Sequence, residues 1–343
     1  MDVVAEGRSE QELRAILKRA TGPMDALVAG IKLSARSAVV GVPLTLAVGI
    51  VSGVGANTLV GLSDWAMAAP APTTQLASQI ALGVAGFCFL YGLLQFPKRA
   101  TASRASWWPT LLAAPALLVA ISFMVAGSGQ ARQMGPVVGQ LLVMAWMLLW
   151  GSFGGAAVAV GWVLAGKAAI DGRPFSLGEA MEAVQRRTLD VAGAHGARVH
   201  AVTIGMQVLL PGILYALQLA FVDMIAVLDP ERPSLRRSGQ LTSGMRGRIF
   251  RLLLIETLVG QLVSFGMYLV GRGALTSELL IEAGTTYLMD PSSVGSGTQI
   301  AMEIFWAFLT WVTTLALLVL YVEREEQVKA KTELKALQKQ AAG

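Results

Sequence analysis

Apolar residues in this chain are gathered into long, nearly charge-free windows that alternate with short polar stretches. A helix that rises about 1.5 Å per residue needs roughly 20 residues to cross the hydrocarbon core of a bilayer, and several windows reach that length. The period-two alternation of membrane strands is absent, so the pattern predicts helices. We expect six spanning helices, at about residues 38–56, 76–96, 107–126, 136–166, 249–271 and 298–321.

Polar, amphipathic segments flank this predicted membrane domain of residues 38–321. Residues 1–37 mix apolar and basic positions at helical spacing, which indicates helices on the membrane surface. Residues 322–343 are rich in charge and predict a further helix, with Glu325 and Lys329 at the supporting i,i+4 spacing. Ser176 and Glu179 form a capping pattern that predicts another surface helix before residue 200.

Composition supports an all-α polytopic membrane bundle and argues against several other classes of protein. The chain is 54% hydrophobic and 14% charged, which is too apolar for a soluble globule of 343 residues. The net charge of +5 fits cytoplasmic loops that face anionic headgroups, so we expect no nucleic-acid partner. His195 and His200 are the only histidines and lie about 140° apart around a helix. We therefore expect no metal and no cofactor.

The apolar segment at residues 201–228 decides the predicted topology. If it crosses the bilayer once, lysines and arginines divide almost evenly between the two sides. If it enters and leaves on one side as a helical hairpin, all but two of the 27 lysines and arginines share the cytoplasmic side with both termini, the exceptions being Arg132 and Arg272. Pro211 and Gly212 predict the break of this hairpin, because proline removes a backbone donor and glycine tolerates a tight turn. Whether the hairpin is re-entrant or crosses twice stays open.

The charged residues around this hairpin are the candidate functional residues. Five arginines after the hairpin could anchor the chain at headgroups or recognise an anionic lipid or an acidic partner; they are Arg236, Arg237, Arg246, Arg248 and Arg251. Two carboxylates, Asp223 and Glu256, fall inside predicted membrane segments, where ionisable groups are costly. We expect an arginine partner for them, in a pair that joins the hairpin to span five, with proton or ion transport as the alternative role.

Part of the chain resembles a known membrane family. The residues that carry the resemblance are Leu210-Pro211-Gly212-Ile213-Leu214, the run from Ser234 to Gly244, Arg246-Gly247-Arg248-Ile249-Phe250, and an upstream Ser176-Leu177-Gly178-Glu179-Ala180-Met181. They resemble the membrane domain of glycerophosphoryl diester phosphodiesterases and related uncharacterised bacterial multi-span proteins, over about residues 174–256. Gly239 and Gly247 depart from that pattern. The resemblance implies a membrane module of a bacterial inner membrane without the catalytic phosphodiesterase domain.

The functional expectation follows from what the sequence contains and lacks. No nucleotide-binding loop, nucleophile elbow, zinc-protease motif or internal repeat is present, which argues against an enzyme and against a repeat-built transporter. We expect a non-enzymatic scaffold or accessory subunit of the bacterial inner membrane that binds anionic lipid at its cytoplasmic face. Its partners would be membrane lipids, another membrane protein or a second copy of the chain. The alternative is a transporter or channel for an ion, a small solute or a lipid.

Overall fold

The structure is a computed structural model of a helical bundle. It describes residues 10–18, 20–99, 108–128, 131–206, 208–232, 234–272 and 296–342. Within these ranges the chain forms thirteen helices and no strand. They are α1 (Glu10–Lys18), α2 (Pro23–Arg36), α3 (Ala38–Ala68), α4 (Ala71–Arg99), α5 (Trp108–Leu111), α6 (Ala113–Gly127), α7 (Ala131–Ile170), α8 (Leu177–Met206), α9 (Leu210–Gln218), α10 (Val222–Leu228), α11 (Ser234–Thr242), α12 (Arg246–Arg272) and α13 (Ser296–Ala342).

Six helical segments of the described chain are long and apolar enough to cross a membrane. Five of them are α3, α4, α7, α12 and α13, and the sixth is Leu210–Leu228, which comprises α9 and α10. The expected all-α polytopic bundle is therefore confirmed. The third predicted span differs, because α6 has only 15 residues and follows the one-turn helix α5.

α3 and α13 pack antiparallel beside a core of mainly small and aliphatic side chains. Gly49 and Gly53 of α3 lie directly against Ile304 and Ile300 of α13, where an added Cβ would meet Ile304 Cα at 2.5 Å. This is the close helix approach that their small-xxx-small spacing indicates. The packing sets α3 and α13 side by side as one wall of the bundle.

α8, α9 and α10 form one long helical hairpin, which we define as residues 177–228. Its two limbs run antiparallel, because residues later in α8 contact residues earlier in the return limb, which comprises α9 and α10. Arg187 Nη1 donates to Val227 O at 3.1 Å, His195 lies beside Asp223, and Gly205 packs on Gly212. Both open ends of this hairpin consequently lie at the same end of the bundle.

The turn of the hairpin lies before Pro211 and not at Pro211-Gly212. Between α8 and α9, Leu209 has a positive φ of 59° and ψ of −67°, in a tight turn in which the Leu210 amide donates to Val208 O at 2.8 Å. Pro211 occupies the first turn of α9, where its missing amide leaves no hydrogen bond unmade. Gly212 instead gives the two limbs close contact, since a Cβ there would lie 2.4 Å from Met206 N.

Three helices continue further than the hydropathy pattern predicts. α8 joins the expected surface helix to the first hairpin limb without a break. α7 passes unbroken through the glycines at 151, 154 and 155 for a total of 40 residues. α13 joins span six to the charged tail in one 47-residue helix, about 70 Å long.

Candidate functional site

The arginine-rich segment between α10 and α12 lies at the end of the bundle where the two terminal helices also lie. Thr21, just before α2, accepts a hydrogen bond from Arg248 Nη1 through its carbonyl at 3.0 Å. The same Arg248 atom lies 3.0 Å from Glu323 Oε1 of α13, and Glu323 Oε2 accepts from the Thr21 amide. We call this the arginine end, made of residues 20–25, 171–177, 229–251 and 322–325.

Two of the five candidate arginines have acidic partners on α13. Arg237 binds Glu325 at 3.0 Å and Arg248 binds Glu323, and both pairs are largely buried. These arginines therefore attach α11 and α12 to the long terminal helix. Arg324 of α13 completes this contact, because it donates to the carbonyls of Leu241 and Ser243 at the end of α11.

The other three candidate arginines are exposed: Arg236, Arg246 and Arg251. None of them forms a salt bridge within the described part of the chain. The five arginines thus divide into a structural pair and a solvent-facing set at the same end of the molecule. That division follows from tertiary packing and has no signature in the sequence.

Ser238, inside the arginine-rich segment, stabilises the break in the return limb. Its hydroxyl donates to Gln218 O at 2.8 Å and accepts from the Phe221 amide at 3.2 Å. These are backbone groups that the interruption between α9 and α10 leaves without helical partners. The side chain is fully buried, so α11 replaces the missing helical hydrogen bonds. Nothing in the local sequence around Ser238 indicates this role.

Ser176 and Glu179 form the predicted capping box at the start of α8. The Ser176 amide and hydroxyl donate to Glu179 Oε2 at 2.7 and 2.9 Å, and the Glu179 amide donates back to Ser176 Oγ at 3.2 Å. The backbone hydrogen bond from Ser176, with that from its hydroxyl, lowers the pKa of Glu179 below its usual value. The first limb of the hairpin thus begins at a defined residue beside the arginine end.

Asp223 lies inside the hairpin and is 3% exposed. Its Oδ1 is 2.7 Å from His195 Nδ1, and its Oδ2 accepts a hydrogen bond from Arg198 Nη1. The expected arginine partner exists, but it comes from α8 and not from the arginine-rich segment. Asp223 therefore joins the two limbs of the hairpin to each other and does not connect the hairpin to α12.

Glu256 and Glu303 are carboxylates with hydroxyl partners. Thr310 donates to Glu256 Oε1 at 3.2 Å, and Ser52 donates to Glu303 Oε2 at 2.9 Å. Neither glutamate forms a salt bridge among the described residues. Glu256 is thus placed between α12 and α13, where the expected ion pair with the hairpin is not formed.

A cavity of about 670 Å³ connects these intramembrane groups. Its walls come from α3, α7, α8, α9, α10, α12 and α13, near the middle of α7. Most of the lining is apolar, and the polar lining includes His195, Arg198, Asp223, Glu256 and Glu303. The sequence identified Asp223 and Glu256 as candidates but gave no reason to join them with Arg198 and His195, which lay in a segment predicted to be a surface helix.

These features define an all-α polytopic membrane protein with an arginine-rich end and a central interhelical cavity. No protein-family model, curated protein or solved structure matches the chain. The resemblance to the phosphodiesterase-associated membrane domain therefore stays a prediction.

Proposed function

We propose that this protein is a non-enzymatic scaffold or accessory subunit of a bacterial inner membrane that binds anionic phospholipid at its arginine end. In this proposal both termini face the cytoplasm. The observation that carries it is the exposed set Arg236, Arg246 and Arg251, which has no acidic partner among the described residues. Guanidinium groups suit phosphate, because their planar donors can bind two oxygens at once.

The packing of the arginine end supports this function. Arg237 and Arg248 hold α11 and α12 against α13, so the exposed arginines stand on elements that are fixed to the bundle. A fixed set of cations loses less conformational entropy on binding a headgroup than a flexible loop does. Each basic residue near an anionic surface contributes about 1 kcal/mol of attraction. A protein partner or a second copy could then assemble on the same surface.

Lipid retention measured by native mass spectrometry tests this proposal. The protein would be released from nanodiscs that contain equal amounts of phosphatidylglycerol and phosphatidylethanolamine. We expect wild-type protein to retain phosphatidylglycerol selectively, and the triple variant Arg236→Gln, Arg246→Gln, Arg251→Gln to lose roughly ten- to a hundredfold in that preference.

A matched triple variant controls for total charge. Lys329, Lys331 and Lys335 are exposed on α13 beyond its contacts with α11 and α12, so their replacement by glutamine removes the same charge from a segment outside the arginine end. We expect this variant to keep the lipid preference of the wild type. Equal lipid preference in wild type and the arginine variant would contradict the proposal.

Transport of an ion, a small solute or a lipid is the second candidate function. The observation that favours it is the central cavity, which holds ionisable side chains between apolar helices. Solute flux into proteoliposomes that depends on Glu256 would favour transport over the scaffold function.

A further inference from the structure

The central cavity has the size and lining of a site for a small organic ligand. Its volume of about 670 Å³ lies within the range of roughly 300–1,000 Å³ that is common for such sites. Aliphatic side chains make up much of the wall, together with Trp150, Trp162 and Trp306. Such a wall favours a ligand with a large apolar or aromatic body, for which the surrounding bilayer is the natural reservoir.

The charges in the cavity determine which kind of polar group the ligand carries. Three carboxylates line it, from Asp223, Glu256 and Glu303, against the single guanidinium of Arg198. Arg198 is already bound to Asp223, which also takes the nearby His195 as a partner. The cavity therefore has no free cation for an anionic ligand, and two of its carboxylates, Glu256 and Glu303, form no salt bridge with a described cation.

The two remaining carboxylates are arranged along one face of α13. Glu303 lies on α13 itself, and Glu256 is held beside it by Thr310, which is seven residues further along the helix. Seven residues are about two turns, so the two carboxylate positions are roughly 10 Å apart along the helix axis. Carboxylates this far apart cannot both bind one metal ion, and no group of three or more metal-ligating side chains is present among the described residues. The arrangement therefore suits an organic cation at one carboxylate.

We propose that this cavity binds a hydrophobic organic cation, with its charged centre at Glu256 and its apolar body among the tryptophans and aliphatic residues. An ionised carboxylate in an apolar site is costly until an opposite charge binds it, and the ligand supplies that charge. Trp306 packs on Gly260, one helical turn after Glu256, and so supplies an indole near this centre for cation–π attraction. Glu303, two turns away, strengthens the negative potential of the cavity. This inference does not depend on lipid binding at the arginine end.

Two ions of the same shape and opposite charge provide the test. Equilibrium binding of tetraphenylphosphonium and of tetraphenylborate would be measured on the purified full-length protein in nanodiscs, after subtraction of binding to empty nanodiscs. We expect saturable binding of tetraphenylphosphonium and none of tetraphenylborate. Equal binding of both ions would show a merely apolar cavity and overturn the proposal, as would absence of saturable tetraphenylphosphonium binding.

Variants then locate the charged centre. We expect Glu256→Gln to weaken tetraphenylphosphonium binding at least roughly tenfold, because it removes one partner of a desolvated charge pair. Glu182→Gln is the matched control, since Glu182 is an exposed glutamate of α8 paired with Arg186, and it should bind as the wild type does. Unchanged affinity in a folded Glu256→Gln protein would overturn the assignment. The comparison of the two ions on wild-type protein remains decisive if that variant fails to fold.

Discussion

Asp223 is a buried charged residue of the hairpin, and Arg198 and His195 both bind its carboxylate. Such a pair is costly to break, because removal of one partner leaves the other charge buried and uncompensated. The network therefore holds α10 against α8 at the level of the cavity. It also fixes the direction of the Arg198 guanidinium, which would otherwise be free to bind anions.

Replacement of Asp223 should measure this network directly. We expect Asp223→Ala to lower the free energy of unfolding by about 3 kcal/mol, since it leaves Arg198 without its counter-ion. Asp229→Ala is the control, because Asp229 pairs with Arg232 at the surface, where such pairs contribute about 1 kcal/mol or less. Unfolding in mixed detergent and SDS micelles would give both values. Equal effects of the two substitutions would contradict a structural role for the buried pair.

The sequence predicted the location of Asp223 but not its partners. A carboxylate within an apolar segment can be recognised in any membrane sequence, because its burial needs compensation. Arg198 and His195 were harder to assign, since the polar residues before them favour a surface helix that ends near residue 200. α8 instead continues into the bundle, and the two residues acquire a partner only when the return limb packs against them.

The two limbs of the hairpin are closely packed near its turn. Gly205 and Gly212 bring its limbs together near the turn, where a Cβ on Gly205 would lie 2.8 Å from Gly212 N. Backbone atoms cannot rotate away as a side chain can, so even a methyl group must separate the limbs. The apolar Leu209 and Leu210 at the turn are exposed in the bundle, as expected of residues in contact with lipid.

Alanine substitution tests this close packing. We expect Gly205→Ala to destabilise the protein by about 1–3 kcal/mol, as overpacking of a fixed contact does. Gly266 of α12 has no atom within 4 Å of an added Cβ, so Gly266→Ala should leave stability unchanged or raise it by up to about 1 kcal/mol. The same detergent unfolding assay distinguishes them. A tolerated Gly205→Ala would show that the limbs are further apart than in this structure.

Helix identity was predictable from hydropathy, while helix length was not. Apolar windows report the thickness of the hydrocarbon core, so they identify α3, α4, α7, α12 and α13. They do not report how far a helix extends into water. The charged half of α13 is stabilised by Arg237 and Arg248, which lie 88 and 75 residues before their partners. Contacts over such separations cannot be read from local pattern.

In the assembled bundle, both terminal segments and the arginine-rich segment lie at the same end. In the structure Thr21, Arg248 and Glu323 contact one another directly, which brings the three segments to one end of the bundle. The opposite end holds the turn between α3 and α4 and the end of α6, where Thr74 packs against Gly127. From the positive-inside tendency we propose that the first end faces the cytoplasm.

Labelling of single cysteines with a membrane-impermeant maleimide tests whether these segments lie on one side of the membrane. The native Cys88 would be replaced by alanine, and a cysteine introduced at Ser243, Lys339 or Thr73, all of which are exposed. We expect Ser243→Cys and Lys339→Cys to react only after the cells are permeabilised so that the reagent reaches the cytoplasm. We expect Thr73→Cys to react in intact cells. Reaction of Ser243→Cys in intact cells, on the same side as Thr73→Cys, would show that residues 177–228 cross the membrane once and would contradict the hairpin.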